Sequence, residues 1–496
     1  MLNKKRLFWS ALMIIFIGIN IYMLFHNLGK GFLIQTDEAY HATNAYEMLK
    51  QDNWVLNTYR YASDYFNSKP PLCLDLMILS YKIFGVSAFA ARFPSALFGL
   101  ITCIVIVAFL LHEKKIYAAA FFPMIFATCR PFFAFHMYRA AEMDSLFNLF
   151  FVIAMIALYK MRSNPSFMYV YGLSLGLAFM CKGPHASLIF FIGLLYIPKI
   201  REAFSSVKRV VISVILAAII PLAWMIKRYM IDGFKLLNAL FMGEVVSRVA
   251  DSEKAANLPF ITYFTSGTFI ILAALTVLTV IFARINSSDS DEKDIQTVKS
   301  FLSDNYLYII WIVVPIVFFA FTDYLTWYAY TSYIATSILS CILADYCITK
   351  AGKEKIVTKS VVSVILLVIS LFYIVPAIKI DINLAGTGGN PVDQFTADLI
   401  EFKEKYGDEY NGTRAYLISN FNINTAVTDH WEPQYVAPAE MYVDLIPIDG
   451  TVECFLNDKD SIIIVDKELW DEYSSVLTGH VILYDNSYLI FSNEMY

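Results

Sequence analysis

The chain has 496 residues, of which 58% are hydrophobic and only 16% are charged, and its mean hydropathy is +0.56. Soluble domains usually have about 25% charged residues, so this composition excludes an ordinary soluble enzyme and predicts a polytopic membrane protein. The net charge is −5, and no basic stripe indicates a nucleic-acid partner. The seven cysteines form neither a disulfide framework nor a metal-ligand spacing.

The first apolar segment follows the basic N-terminus MLNKKR and has the sequence LFWSALMIIFIGINIYMLF. It approaches the roughly 20 residues that cross a bilayer, and no small-residue cleavage site follows it, so we expect an uncleaved first span. Further apolar segments bring the predicted total to about eleven spans: 92–111, 116–135, 143–159, 167–181, 184–198, 209–226, 260–283, 304–321, 327–347 and 360–378. The segment 72–84 is too short and contains Asp75 and Lys82, which favours a helix on the membrane surface.

Basic residues recur in alternate loops when the spans are threaded in order. These clusters lie near 4–6, 114–115, 160–162, 199–209, 284 and 350–359. Because Lys and Arg concentrate in cytoplasmic loops, the N-terminus is predicted to be cytoplasmic and the C-terminus extracytoplasmic. The sequence therefore predicts a multi-pass protein of the cell membrane, with a transmembrane domain over 1–380 and a large first outer loop over 27–91.

Residues 381–496 have ordinary polarity and follow the chain-breaking sequence GTGGNP. FTADLIEFKEKYG and ELWDEYSSVL have helical spacing, whereas RAYLIS, MYVDLIPI, SIIIVDK and HVILYD are short β-rich runs. This alternation predicts a small extracytoplasmic α/β domain. It contains no phosphate-binding glycine pattern, which favours a cover or substrate-recognition domain over a second enzyme core.

The first outer loop contains the acids and the lysine that are the first candidates for chemistry. Asp37 and Glu38 directly follow the first span. In a structural interpretation Asp37 is the N-cap of a helix ending at Met48, and Glu38 favours the helix dipole. In a catalytic interpretation an acid fixed at this helix start acts as a base, and the two interpretations are compatible. Lys69, before two prolines, either snorkels to lipid headgroups or offers a point charge to a phosphate.

The second outer loop, RPFFAFHMYRAAEMD, places charges at the edge of a span. Asp144 either forms an ion pair with Arg139 that anchors the helix, or faces a water-filled cavity and marks a functional site. His136 alone is more typical of a structural histidine. Lys182, in the turn KGPH, is either a flanking anchor or a residue of the same cavity.

Two later outer loops contain further candidates with simple structural alternatives. Glu244 and Arg248 are four residues apart, which is the spacing of a surface ion pair on a helix. Tyr328 lies in TDYLTWYAY, where an ordinary aromatic belt explains its presence.

These motifs occur together in one known family. TDEAYHATNAYEML, NW and YFNSKPPL, followed by LSYKIFGVSAFAARFPSALFGL, resemble the lipid-dependent glycosyltransferases of the GT-C fold. The similarity is greatest to the bacterial aminoarabinose transferases and the wider protein-mannosyltransferase-like superfamily. RAAEMDSLFNLFF and MCKGPHASLIFF match that family's second acidic motif and its KGP turn, in the same order. The resemblance covers about residues 1–350 and is strongest over the first 190.

The resemblance implies a role for each candidate. Asp37 matches the catalytic or metal-proximal acid, Asp144 the second acid, and Lys69 the contact to the carrier phosphate. The remaining predicted carrier-phosphate or substrate contacts are Arg139, Arg248, Lys182, Glu38 and Tyr328. The chain departs from the family pattern at Tyr40 and Thr43, where Arg and Glu are common, and at Asp323 and Tyr324, where a lysine is usual.

The resemblance implies an enzyme that moves a sugar from a polyprenyl-phosphate-linked donor to an extracytoplasmic acceptor: a lipid, a cell-envelope glycan or a protein. Asp37 is expected to act as the general base of an inverting attack, while Lys69 and arginines stabilise the departing phosphate. No nucleotide-binding motif is present, which fits a lipid-linked donor. No cofactor or metal ligand is assigned, since the acids form no recognisable ligand set, although a divalent metal is compatible with this chemistry.

Two alternatives from other functional classes remain open. A transporter or flippase of polyprenyl-linked glycans explains the spans and the cavity charges equally well. A non-catalytic membrane scaffold would present the C-terminal domain to a partner. The large first loop and the crowding of acids and bases on one face favour the enzyme.

Overall fold

The computed structural model describes residues 2–129, 131–134, 136–242, 263–286, 299–320, 325–350, 364, 368, 391–420 and 430–495. The chain divides into two compact units. The helical unit comprises Met1–His26, Tyr65–Cys73 and Ser95–Asp381, and the sheet unit comprises Asn27–Asp64, Leu74–Pro94 and Ile382–Tyr496. Most of the first outer loop therefore groups with the C-terminal residues, although its position between apolar segments predicts that it belongs to the domain 1–380.

Helices form most of the described chain. In chain order they are α1 (Leu2–Phe25), α2 (Thr36–Lys50), α3 (Leu72–Phe84), α4 (Ala88–His112), α5 (Ile116–Thr128), α6 (Pro131–Ala134), α7 (Asp144–Lys160), α8 (Phe167–Lys182), α9 (Ser187–Tyr196), α10 (Val207–Asp232), α11 (Lys235–Asn238), α12 (Gly267–Asn286), α13 (Tyr306–Phe319), α14 (Tyr330–Lys350), α15 (Pro391–Tyr406), α16 (Pro433–Pro438), α17 (Val452–Asn457) and α18 (Trp470–Leu477).

Five helical stretches in the described residues are long and apolar enough to cross a membrane: Leu7–Phe25, Ala88–His112, Phe167–Lys199, Val207–Asp232 and Trp327–Thr349. The apolar helices Ile116–Thr128, Gly267–Leu278 and Tyr306–Phe319 are shorter. The prediction of a multi-helix membrane protein is confirmed at this level. The total of about eleven spans stays a prediction, and the predicted span 360–378 lies almost wholly outside the described residues.

The predicted span 116–135 is wrong as a single helix. The helix α5 ends at Thr128, Cys129 has non-helical angles (φ −78°, ψ 84°), and a separate short helix begins at Pro131. Proline disfavours helical angles at the residue before it and is well suited to the first position of a new helix. The sequence signal for this break is therefore the proline.

Two helices of the helical unit pack unusually closely through small residues. Along α8, Gly172 and Gly176 are four residues apart, and they lie against Ser213 and Ala217 of α10. A Cβ atom at Gly172 would lie 2.3 Å from the carbonyl oxygen of Ser213, and one at Gly176 would lie 2.5 Å from that of Ala217. Small residues at four-residue spacing allow helix backbones to approach within a membrane, so this pair fixes the course of α8 toward its end at Lys182.

The sheet unit contains a five-stranded sheet and a small hairpin. The strands are β1 (Thr58–Tyr59), β2 (Ala62–Ser63), β3 (Arg414–Ile418), β4 (Ile446–Pro447), β5 (Ser461–Asp466), β6 (His480–Asp485) and β7 (Tyr488–Met495). The sheet has the order β4-β3-β5-β7-β6; the β4, β3 and β5 strands are parallel, and β7 is antiparallel to both β5 and β6. The predicted α/β architecture of the C-terminal region is therefore confirmed.

Apolar side chains cover both faces of this sheet. On one face Leu417 and Ile464 pack with α15 and α16, and on the other Ile463 and Val465 pack with α17 and α18. The β5 strand is buried on both faces, as its continuous apolar sequence SIIIV indicates. The result is a three-layer α/β/α arrangement.

The run MYVDLIPI is not the strand that its composition predicts. Residues Ala439–Val443 form a π-helical turn that ends at Asp444, which has left-handed angles (φ 63°, ψ 36°). Only Ile446–Pro447 pair, at the sheet edge. Proline has no N–H for a ladder and is confined to edges, which limits this strand to two residues.

Within the sheet unit, the first outer loop is bound to the C-terminal residues by polar contacts. The Tyr46 hydroxyl and the Lys50 ammonium of α2 each lie 3.0 Å from the Asp444 carboxylate. The Gln434 amide donates to the Thr36 hydroxyl at 2.7 Å. The Arg60 guanidinium donates to the Pro447 carbonyl at 3.0 Å and pairs with Asp449. The helix that begins beside Asp37 is therefore held by the C-terminal domain.

Two glutamates of this unit are buried together. The Glu47 carboxylate accepts the backbone N–H groups of Arg60 at 2.5 Å and Tyr61 at 2.8 Å, and both of those residues have left-handed angles (φ 54° and 57°). Glu440, on the π-helical turn, is fully buried beside it. Burial raises the pKa of Glu47 from 4.5 to about 7. Burial and the neighbouring Glu47 raise the pKa of Glu440 well above its usual range.

We therefore expect the sheet unit to lose stability as pH rises. The folded state favours the protonated carboxyls, so the contribution of Glu47 is complete below pH 4.5 and is lost as pH rises through about 7. The raised pKa of Glu440 acts in the same direction. Each pKa unit corresponds to about 1.4 kcal/mol, so the loss should reach roughly 3 kcal/mol. Hydrogen exchange of 44–61 and 433–444, corrected for the chemical exchange rate, should report faster opening at pH 8 than at pH 5.

The substitution Glu440→Gln should slow opening at pH 8 and flatten this pH dependence, because a neutral amide can donate to an ionised Glu47. Glu404→Gln, at an exposed position of α15, is the matched control and should behave as the wild type. Equal opening of the wild type at both pH values would contradict the raised pKa values of Glu47 and Glu440.

Candidate active site

The end of α8 and the start of α7 bring two predicted site residues together. These helices are antiparallel neighbours joined by a short loop, so the first residue of α7, Asp144, meets the last residue of α8, Lys182. The Lys182 Nζ lies 2.5 Å from the Asp144 Oδ1, and each residue is only 5% exposed. A buried ion pair at helix ends is costly to desolvate and is typical of functional sites in membrane proteins.

The turn after Lys182 packs against the Lys69-Pro70-Pro71 segment. Gly183 has φ 55° and ψ −128°, angles that L-residues rarely adopt. A Cβ atom there would lie 3.1 Å from Leu240 and 3.6 Å from the Pro70 ring. The glycine of the KGP turn thus allows close contact with the prolines beside Lys69, whose side chain is half-buried.

The aromatic ring of Tyr328 completes this cluster. It belongs to the short 3₁₀ turn Thr326–Ala329 and is buried. Its ring centroid lies 5.2 Å from the Lys182 Nζ, 5.0 Å from the His185 ring and 4.8 Å from the Phe319 ring. The electron-rich face of an aromatic ring attracts an ammonium group, so the Tyr328 ring stabilises the Lys182 cation of the ion pair.

A second polar pair lies in the same unit and was not among the predicted site residues. His136 Nδ1 lies 2.9 Å from Glu142 Oε1, and both side chains are about 95% buried. The His136 ring stacks on Trp327 at 3.9 Å, and its backbone is left-handed with φ 52°. The Glu142 carboxylate at Nδ1 and the Trp327 ring against its face fix the orientation of the His136 imidazole. Left-handed backbone angles at a residue other than glycine are also frequent at functional sites. Imidazole and carboxylate are also ligand types that divalent metals accept.

Arg139 does not pair with Asp144, so that prediction is wrong. Its guanidinium donates to the backbone carbonyls of Met23 at 2.5 Å and His26 at 2.9 Å, at the end of α1. The last carbonyls of a helix lack internal partners, and a basic side chain satisfies them. Lys182, on the antiparallel neighbouring helix, is the partner of Asp144 instead.

In the sheet unit, Asp37 lies at the start of α2 but is not its N-cap. Gln35 holds the N-cap position, and Asp37 is the second helical residue, in the first turn with Glu38. A carboxylate there is stabilised by the helix dipole. Asp37 is exposed and Glu38 is buried, so these adjacent acids have different surroundings.

Glu38 is bound to Arg92, a residue that was not among the predicted site residues. The Arg92 Nε and Nη2 lie 2.7 and 2.9 Å from the two Glu38 oxygens, a bidentate geometry. The same guanidinium donates to the carbonyls of Leu28, Lys30, Gly31 and Phe32 at 3.1–3.3 Å. Arg92 therefore fixes the turn 28–32 and the first turn of α2, and Glu38 serves to position Asp37. The sequence feature that could have indicated this role is the position of an arginine near the start of an apolar helix.

Replacing Arg92 by Met should destabilise the protein by about 3–5 kcal/mol, because Glu38 is left as a buried unpaired charge. The midpoint of thermal unfolding in detergent is the measurement. Lys50→Met is the matched control, since it breaks the half-exposed pair with Asp444 and should cost less than about 1 kcal/mol. An unfolding midpoint as high as that of the wild type would contradict this role for Arg92.

The structure thus brings together Asp144, Lys182 and Tyr328, with the Lys69 turn packed beside them. The contacts of Arg139 include two backbone carbonyls, and those of Glu38 include the Arg92 guanidinium. Arg248, with its suggested partner Glu244, lies outside the described residues.

The protein is similar to known proteins over part of its sequence and nearly all of its fold. Residues 68–226 match the family model described as dolichyl-phosphate-mannose-protein mannosyltransferase. An uncharacterized protein of Aquifex aeolicus is 27% identical over 186 residues, which are 36% of this chain and 37% of that protein, so the match spans little more than a third of the relative.

Two solved structures share the fold. The crystal structure of ArnT from Cupriavidus metallidurans bound to undecaprenyl phosphate has a TM-score of 0.70 at 14% identity, over 98% of each chain. The apo form of the same protein has a TM-score of 0.68 at 13% identity, also over 98% of each chain. The resemblance to the GT-C glycosyltransferases that the sequence motifs predict is therefore confirmed, by a family model over the early helices and by the fold over almost the whole chain.

Proposed function

We propose that this protein is an integral-membrane glycosyltransferase that moves a sugar from a polyprenyl-phosphate-linked donor to an acceptor outside the cytoplasm. The order of the acidic, KPP and KGP motifs supports this, as does the similarity to a structure solved with undecaprenyl phosphate. The observation that supports the proposal most strongly is the buried Asp144–Lys182 ion pair. The Tyr328 ring lies 5.2 Å from its ammonium group, and the adjoining KGP turn packs against the Lys69-Pro70-Pro71 segment. Ionisable residues buried within a membrane bundle often mark a substrate site, which supports a polar substrate here.

In the proposed reaction, a hydroxyl of the acceptor attacks the anomeric carbon of the donor sugar and the bond from that carbon to the phosphate oxygen breaks. Asp37 accepts the hydroxyl proton, and the polyprenyl phosphate leaves with the electron pair, so the anomeric configuration inverts. Glu38 and Arg92 hold the helix turn that presents Asp37.

The negative charge on the leaving phosphate grows during bond cleavage, and nearby cations stabilise it. Lys69 and Lys182 are the proposed cations, and Asp144 orients Lys182. Arg139, which the resemblance implies as a further phosphate contact, is engaged by backbone carbonyls. We therefore assign the phosphate to the two lysines.

The N-terminus is proposed to be cytoplasmic and the C-terminal domain extracytoplasmic.

Mass spectrometry of membrane lipids tests this proposal. Cells with the wild-type gene, a deletion or Asp37→Asn should be compared in a strain that lacks redundant transferases. Accumulation of one polyprenyl-phosphate sugar in both mutants is the expected result, and it would name the donor. An unchanged lipid profile in the deletion would reject the transferase, and accumulation in the deletion alone would reject Asp37 as its base.

A further inference from the structure

The sheet unit contains a crevice with a volume of about 480 Å³, and most of the residues that line it are polar. The residues that line it include Gln394 of α15, Asn420 after β3, Asp466 and Glu468 at the end of β5, and Ser487 before β7. Small-molecule sites usually have volumes of roughly 300–1,000 Å³, so the crevice is large enough for a ligand.

The crevice lies where the sheet topology favours a binding site. The neighbouring parallel strands β3 and β5 both end at it. The next described helix after β3, α16, covers one face of the sheet, whereas α18, which follows β5, covers the opposite face. Helices that cover opposite faces, at the carboxyl ends of two neighbouring parallel strands, mark a change in the winding of the sheet. Ligands of open α/β sheets bind at such topological switch points.

The side chains that line the crevice indicate which kind of ligand it can bind. Amides, carboxylates and a hydroxyl offer both donors and acceptors, which suits a molecule with many hydroxyl groups. The Asp466 carboxylate accepts the Glu468 backbone N–H at 3.0 Å, which fixes it at the end of β5. Lys467, the one lysine among the described residues that line the crevice, forms an ion pair with Asp485 at 2.5 Å. The two acids therefore oppose a phosphorylated or carboxylated ligand.

We infer that this crevice binds a saccharide that is neutral or bears an amino group. The inference does not depend on the proposed transferase activity, because it rests on the topology, the volume and the polar residues of the sheet unit alone.

Saturation-transfer NMR on the full-length protein in detergent tests this assignment with four probes: glucose, glucosamine, glucuronate and glucose 6-phosphate. The wild type should transfer saturation to glucose and glucosamine only. Gln394→Trp places a large side chain in the crevice and should reduce that transfer at least about five-fold, the size of effect expected from losing one hydrogen bond. Glu404→Trp, an exposed position of the same helix that does not line the crevice, should match the wild type.

Asn420→Ala provides a second variant that removes one polar group without filling the crevice, and it should also weaken transfer. Transfer to glucose that persists in Gln394→Trp would place the bound sugar elsewhere and overturn the assignment. So would transfer restricted to the two anionic probes, or no transfer to any probe. Equal unfolding midpoints of Gln394→Trp and Glu404→Trp would show that a loss is local.

Discussion

Replacing Asp37 by Asn should lower the rate of sugar transfer by about 10²–10⁴-fold, the usual contribution of a general base. The amide has nearly the shape of the carboxylate but cannot accept the hydroxyl proton. Because Asp37 is exposed in the first turn of α2, the substitution buries no new charge, and the unfolding midpoint should hardly change. The rate should be measured under single-turnover conditions with the donor lipid identified by the membrane analysis.

Asp52→Asn is the matched control for this prediction. Asp52 is also an exposed acid of the sheet unit, and its left-handed backbone (φ 48°) tolerates asparagine. It should transfer sugar at the wild-type rate. Asp37→Asn should still bind polyprenyl phosphate, because the proposed phosphate contacts are lysines. A transfer rate within about ten-fold of the wild type would leave Asp37 without the role of a base, since ordinary base catalysis contributes more.

Local sequence signals predicted the elements of the fold well. The segment 72–84 is too short to cross a membrane and contains two charged residues, so it was predicted to be a separate helix. The bounds of α3 agree with that prediction. The bounds of α7 and α8 differ from the predicted segments by one residue at most. Hydrophobic runs and helix breakers act over a few residues, so the information for these elements is local.

Tertiary partners could not be predicted in the same way. Asp144 is five positions from Arg139, and proximity in sequence suggested a pair, whereas the antiparallel packing of two helices brings Lys182 to it across 38 residues. Lys50 and Asp444 are 394 residues apart. The role of Arg92 depends on four carbonyls of a turn whose path the sequence does not specify. Such contacts follow from how elements pack, which single-residue patterns do not encode.

The Asp144–Lys182 pair can be tested for both stability and chemistry by a double-mutant cycle. Lys182→Met leaves a carboxylate buried without its cation, and Asp144→Asn leaves a buried ammonium without its anion. Each single substitution should cost about 3–5 kcal/mol, whereas the double substitution should recover most of this, because no uncompensated charge remains. The midpoint of unfolding in detergent and the single-turnover rate should be measured for all four proteins.

The rate of the double variant separates two roles for the pair. If the ion pair only anchors α7 to α8, recovered stability should restore transfer. If Lys182 contacts the departing phosphate, as proposed, the stable double variant should remain slow, because one of the two proposed cations no longer faces the developing charge. The Lys160–Glu113 pair, which is more exposed at 15% and 20%, offers a matched cycle whose variants should transfer sugar normally. Restored transfer in Asp144→Asn/Lys182→Met would therefore assign the buried pair to folding and leave Lys69 as the proposed phosphate contact.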